Sequence, residues 1–232
     1  MSRTKRVDML WPPSFEAAIF DFDDTLALTH DLWRRVDVTF LSSRGIQYTP
    51  DLAQTLSTLG FEGGAQYCIS RYGLKDTPEE ICEEWRSMGR AFYASDVNLR
   101  PGAERYIRAL RSRGILVGLA TTNERDVLEA IGRRIDFDGL FDAIACATDV
   151  SCGKDQPDIY LEAARRMGID PNAAGGARSC MVYEDLLMGV TTAKRAGFRT
   201  CAVLSDNPNQ NPLEMERAAD CLISDWRDIP IL

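Results

Sequence analysis

The sequence predicts an α/β fold, a doubly wound parallel sheet with an α-helical segment inserted after its first strand. Three observations point there. Short apolar runs alternate with amphipathic helical patterns over most of the chain, residues 29–99 break the alternation with helical patterns alone, and acidic, hydroxyl and amide residues collect where the apolar runs end. The first run, "AAIFDF" (17–22), reads as a strand buried on both faces. Helical segments at 31–43, 50–58, 64–72 and 78–95 follow without a convincing strand among them. "RPGAERYIRALRSRG" then reads as a helix over 102–113, with Pro101 near its start and Gly114 after its end. Strands "ILVGLAT" (115–121), "FDAIACA" (141–147), "CMVYED" (180–185) and "TCAVL" (200–204) are separated by helical patterns at 124–134, 157–167 and 188–196. From Asp206 a polar, turn-rich loop leads to a last apolar segment, "CLISDW". The expected organisation is a core formed by 1–28 and 100–232 with a helical insertion over 29–99, placed above the carboxyl ends of the strands where open α/β sheets bind ligands.

Composition narrows the function classes. A chain of 232 residues with 45% apolar content is long enough for one core plus an insertion, and no run nears the roughly 18 apolar residues of a membrane span. The start, "MSRTKRVDML", is basic but lacks an apolar stretch and a small-residue cleavage site, so a cytoplasmic protein without membrane association is expected. Seven cysteines, an odd number without a C-x-x-C pair or a Cys/His ligand pattern, argue against disulfides and zinc. A net charge of −8 disfavours nucleic acid, whereas a small phosphorylated metabolite needs only local positive charge. No feature separates a monomer from a homodimer.

The chemistry collects at the predicted strand ends. Asp21 and Asp23 face the same side if the backbone is extended, and two close carboxylates repel unless a divalent cation balances them or one keeps its proton as a general acid. A solvated loop or helix cap, in which the acids bond only backbone N–H groups, would also account for this stretch alone. The second strand ends in Thr121, Thr122 and Asn123, donors able to hold phosphate oxygens at a helix start. The fourth ends in Glu184 and Asp185, hard oxygen ligands of the kind Mg2+ takes. Lys154, before the helix opened by Pro157 and Asp158, offers an ammonium for a phosphate or a carboxylate.

Four motifs in order, "DFDDT" (21–25), "LATTN" (119–123), Lys154 in "GKDQPDIY" and "YED" followed by "LLMGVTTAKRAGF" (183–198), make the chain resemble the haloacid dehalogenase superfamily. The resemblance spans nearly the whole chain and extends to a helical cap inserted after the first motif, as in subfamily I, the branch containing β-phosphoglucomutase and many small-metabolite phosphatases. It implies a Rossmann-like core in which Asp21 is the nucleophile, Asp23 the general acid and base, and Thr121 and Lys154 the clamp on the transferred oxygens. It further implies backbone N–H groups near Phe22, Asp23 and Thr122 on the phosphate, and Mg2+ held by the Asp21 carboxylate, the Asp23 backbone carbonyl and the Asp185 carboxylate. Glu184 would orient a metal-bound water. The implied function is a Mg2+-dependent phosphatase that hydrolyses a small phosphomonoester, a sugar phosphate or related metabolite, through an aspartyl phosphate. The alternatives are a phosphomutase and, from another class, a non-catalytic phosphometabolite-binding module, which would not need the full set Asp21, Asp23, Lys154 and Asp185. Relatives that process haloacids or phosphonates lack an aspartate at the place of Asp23, so its presence favours phosphate esters.

Departures from the pattern matter too. Asp24 stands where many relatives have glycine and reads as a loop hydrogen-bonder, and Asp155 stands where proline is usual. Trp33 occupies the place of a histidine in β-phosphoglucomutase, and "LGFEGGAQY" (59–67) lacks the arginine found there, two departures that count against a mutase. That glycine-rich stretch reads either as a loop bringing Phe61 and Glu62 to the substrate or as a simple turn between helices. The sole histidine, His30, reads as a residue of the hinge into the cap, with linkers at 27–30 and 97–101. Arg34, Arg35, Arg71 and Lys75 read as solvated helix charges or as contacts to a second anionic group. Cys146, Cys152 and Cys180 lie near strand ends without a histidine partner and read as incidental thiols.

Overall fold

The computed structural model describes residues 7–132, 134–208 and 210–231. In chain order the elements are β1 (Ala17–Phe20), α1 (His30–Ser43), α2 (Pro50–Tyr72), α3 (Pro78–Asp96), α4 (Ala103–Ser112), β2 (Leu116–Ala120), α5 (Arg125–Ile131) and α6 (Phe137–Leu140). They continue as β3 (Ala143–Ala145), α7 (Asp158–Arg166), β4 (Cys180–Glu184), α8 (Leu187–Arg195), β5 (Arg199–Val203), α9 (Pro212–Ala218) and β6 (Cys221–Ile223). The chain forms two compact units, Met1–Leu28 with Asn98–Leu232, and Thr29–Val97. Among the described residues no helix is long and apolar enough to cross a membrane.

The first unit is the doubly wound sheet, with all strands parallel in the order β3-β2-β1-β4-β5-β6. The four residues of β1 are buried, as an apolar run covered on both faces requires. Ala17 pairs with Leu116 on one side and Cys180 on the other, so the carboxyl ends of β1, β2 and β4 come level. Strand order reverses about β1, and open sheets place their ligand crevice at such a reversal. Helix α4 buries Ala103, Tyr106, Ile107 and Leu110, the spacing of one helix face. Beneath β1, Phe20 stacks on Tyr183 at 4.4 Å and meets Tyr106 and Trp226. Their hydroxyls are paired: Tyr106 donates to the Leu10 carbonyl at 3.2 Å, so Tyr183 donates to Tyr106 across 2.5 Å.

The second unit contains α1, α2 and α3. Thr77 and Glu80 form a reciprocal capping box that fixes the start of α3. Arg44 bonds Asp76 and Glu84, each at 2.7 Å, and lies over the Phe40 ring. The structure corrects one expectation: residues 59–67 are neither a loop nor a turn but the middle of α2. Glycine costs a helix about 1 kcal/mol relative to alanine, a cost α2 absorbs here. A Cβ at Gly64 would lie 3.3 Å from Leu56 Cδ2 and in ordinary van der Waals contact, 3.5 Å, with the Trp85 ring of α3. Phe61 packs edge-on against Trp33 and Trp85.

Gly102 caps α4 with φ +89°, and a Cβ there would lie 3.0 Å from the Arg227 backbone nitrogen. Gly102→Ala is therefore expected to lose about 1–3 kcal/mol of stability, measured by urea unfolding; an unchanged midpoint would show that the turn relaxes freely.

Candidate active site

Each catalytic candidate in the sheet unit follows a strand or opens a helix. Asp21 leaves β1, its backbone N–H still bonded to the Tyr183 carbonyl at 3.0 Å. The chain then turns through Asp24, whose φ of +54° lies in the left-handed region that glycine adopts freely and aspartate tolerates. This loop is pinned at several points: Leu26 and Ala27 donate to the Phe22 carbonyl, Arg100 Nη1 donates to the Asp24 carbonyl at 2.8 Å, and the Trp226 indole donates to the Thr25 carbonyl at 3.1 Å. Arg100 Nη2 also takes the Leu204 and Ser224 carbonyls. The bare alternative of a solvated loop does not describe this stretch, because Asp21 and Asp24 are buried.

The charge arrangement is unusual. Lys154 is buried and its ammonium bonds both Asp21 and Glu184. Carboxylate oxygens of Asp21, Glu184 and Asp185 lie within 4.8 Å of one another, so one ammonium faces three acids. Burial pushes the Asp21 carboxyl up, Lys154 pulls it back, and Glu184 and Asp23 push it up again, to about 8. Burial together with the Asp21 and Glu184 charges also raises Asp185. Burial lowers the Lys154 ammonium, but the two carboxylates outweigh it and leave the group raised and charged. Below about pH 8 the raised Asp21 carboxyl keeps its proton, and the three acids together present hard oxygen donors, a set suited to a divalent cation such as Mg2+.

The supporting contacts complete the site. Asn123, expected among the phosphate-holding groups, donates through its side-chain amide to Asp23 Oδ2 at 2.6 Å and so orients that carboxylate. Thr121 Oγ1 accepts the Asn123 N–H at 3.1 Å, which leaves the hydroxyl proton to donate. Thr122 is exposed beside it, and the Phe22 ring packs on Phe137 at 5.8 Å. Glu184, expected to orient a metal-bound water, receives Lys154, the Tyr160 hydroxyl at 2.8 Å and the Leu186 N–H at 3.0 Å. Tyr160 escaped the sequence reading because its spacing marks it only as a buried position of α7. Gly189 gave no signal either, yet a Cβ there would lie 2.7 Å from both the Glu184 carboxyl carbon and the Tyr160 hydroxyl. Asp24 accepts from Asn207 Nδ2 at 2.9 Å, the loop bond its residue type suggested.

In the helical unit, Phe61 and Glu62 lie on α2 rather than on a loop, and the Trp33 ring packs against Phe61 and Tyr93. Arg34 pairs with Asp31 at 3.0 Å, Arg35 pairs with Asp96, and Arg71 lies over Tyr72. His30 opens α1, and Lys75 is exposed. All seven cysteines are free; the Cys146 thiol donates to Asp149 Oδ2 at 3.0 Å, and burial raises both it and Cys180.

A family model described as haloacid dehalogenase-like hydrolase matches residues 15–197. The chain is 27% identical over 207 residues to hexitol phosphatase B of Escherichia coli K12, covering 88% of this chain and 90% of that protein. A putative β-phosphoglucomutase of Thermotoga maritima superposes with a TM-score of 0.75 at 26% identity, covering 92% of this chain and 96% of that one. The CbbY protein of Rhodobacter sphaeroides in complex with xylulose-(1,5)bisphosphate superposes with a TM-score of 0.74 at 26% identity, covering 93% and 96%.

Removing the ammonium tests the electrostatic balance directly. Lys154→Met leaves buried acids unpaired and is expected to cost about 3–5 kcal/mol in urea unfolding without metal at pH 8. An acid whose folded pKa lies above its unfolded value of about 4 stabilises the fold only while protonated, so stability falls as pH rises from there to the folded value. Asp21 already stands at about 8 with Lys154 in place. The loss is therefore expected to be smaller at pH 5 than at pH 8, and equal losses would refute the balance.

Proposed function

Because the chain belongs to the haloacid dehalogenase-like hydrolases and is a phosphatase of that family, we propose that it hydrolyses a small phosphomonoester, a sugar phosphate or related metabolite, in a Mg2+-dependent reaction through an aspartyl phosphate. One observation carries the reading: Asp21 stands at the carboxyl end of β1 bonded to buried Lys154, with Asp23 two positions on and held by Asn123. Simple phosphate binding requires neither a carboxylate facing the anion nor an oriented second acid, so the binding-module alternative leaves this arrangement unused.

In the first step Asp21 attacks phosphorus, the bond to the ester oxygen breaks, and Asp23 gives its proton to the leaving oxygen. In the second step Asp23 takes a proton from water, the water oxygen attacks phosphorus, and Asp21 departs with release of inorganic phosphate. Lys154 stays charged throughout and offsets the charge on the transferring oxygens, joined by the Thr121 hydroxyl and the backbone N–H groups of Phe22, Asp23 and Thr122. When bound by the Asp21 and Asp185 carboxylates and the Asp23 carbonyl, Mg2+ supplies charge neutralisation and orientation of the phosphoryl group. Glu184 and Tyr160 keep Lys154 in place. The small phosphorylated substrates in the names of the relatives, a hexitol phosphate and a sugar bisphosphate, support the substrate class.

A phosphomutase would return the phosphoryl group to a bound sugar, and the likeness to a putative β-phosphoglucomutase favours that second reading. Against it stands Trp33, an indole without a proton-transferring nitrogen base, packed on Phe61 and Tyr93 at the place where the resemblance to β-phosphoglucomutase implies a histidine.

Phosphate release from a panel of sugar phosphates and an aryl phosphate is expected to require Mg2+ and to vanish on chelation and in Asp21→Asn. Asp23→Asn is expected to slow sugar-phosphate turnover by about 10²–10⁴-fold, with a smaller effect on formation of the phosphoenzyme from the aryl ester, whose leaving group needs no proton. Release that persists in Asp21→Asn would overturn the mechanism, and isomerisation without net release would favour the mutase.

A further inference from the structure

The turn after β5 reaches into the site from outside every motif discussed so far. The Gln210 amide nitrogen donates to the Asp185 carbonyl at 3.0 Å and to the Val203 carbonyl at 3.2 Å, with Asp185 Oδ2 at 3.5 Å. Its amide oxygen accepts the Ser205 N–H at 2.8 Å. Three positions earlier, Asn207 donates through its backbone to Ser205 Oγ at 3.2 Å and through its side chain to Asp24 Oδ2 at 2.9 Å. One short segment therefore grips the residue that ends the β4 run and the residue that shapes the loop after β1.

The need for such a grip follows from the charges. Asp185 is buried beside Asp21 and Glu184, and carboxylates crowded in this way turn apart unless their backbone is fixed. The Gln210 amide spends its two protons on carbonyls of β4 and β5 residues, a rigid cross-link between adjacent loops. We infer that Gln210 is a positioning residue for Asp185, assisted by Asn207 at Asp24, and that these two side chains thereby set the affinity of the acidic cluster for a divalent cation. The inference rests on the reading that the cluster holds Mg2+. Groups that orient metal ligands typically govern metal affinity by about 10–100-fold.

The test is Mn2+ titration of the full chain without substrate, followed by electron paramagnetic resonance and calorimetry, on the unaltered protein, Gln210→Met, Asn207→Ala and the exposed-site control Leu213→Ala. Gln210→Met keeps the length of the side chain but loses both ends of its bonding, and is expected to weaken Mn2+ binding about 10–100-fold. Asn207→Ala should weaken it less, and Leu213→Ala not at all. The Mg2+ concentration that half-activates phosphate release should rise by the same factor, with turnover at saturating Mg2+ little changed. A merely structural role would lower the melting temperature and turnover and leave the metal constant where it was. Unaltered Mn2+ affinity in Gln210→Met overturns the positioning role; should that variant not fold, unaltered affinity in Asn207→Ala overturns it. Absence of Mn2+ binding by the unaltered protein overturns the metal reading and the inference with it, so the two failures are distinguishable.

Discussion

A single buried ammonium holds the centre of this molecule together. Lys154 joins Asp21 after β1 to Glu184 at the end of β4, and does so where water cannot share the work. Ion pairs removed from water repay their desolvation only when geometry and further hydrogen bonds are good. The surroundings supply both: Tyr160 and the Leu186 N–H satisfy Glu184, and Gly189 leaves room for the contact. Even so, one ammonium among three crowded acids leaves the Asp21 and Asp185 carboxyls raised, and their hard oxygens are donors suited to a divalent cation.

Much of this arrangement was legible in the sequence. The strands of the sheet announced themselves as apolar runs, and Asp21, Glu184 and Asp185, read as reactive positions at strand ends, meet Lys154, read as lying before a helix. What escaped has specific causes. Tyr160 and Gly189 act through contacts between α7, β4 and α8, which no local pattern encodes. Asn123 carries donors suited to phosphate and to carboxylate alike, and only the fold decides which it meets. Helix α9 had a readable start, since Asn211 accepts from Leu213 and Glu214 and Pro212 follows it, yet the Asn/Pro-rich run before it reads as loop throughout.

The stretch 59–67 shows the limit of composition as a guide. Three glycines beside an aromatic and an acid suggest a mobile tip, because glycine is a poor helix former. Glycine is also the smallest surface a helix can present. The segment is nonetheless helical, with Gly64 beside the Trp85 ring and Phe61 packed edge-on against Trp33 and Trp85, contacts that no local pattern encodes.

The tether from Trp226 to the Thr25 carbonyl has a consequence in time. The bond spans 201 positions of sequence, so the loop that follows Asp21 is synthesised early and gains its indole partner late. Arg100 likewise waits for the Leu204 and Ser224 carbonyls. A chain emerging from the ribosome holds every acid of the first motif long before it can fix their backbone, and long-range contacts of this kind form late in folding. The backbone that follows Asp21 thus gains its full set of tethers only after translation has passed Trp226.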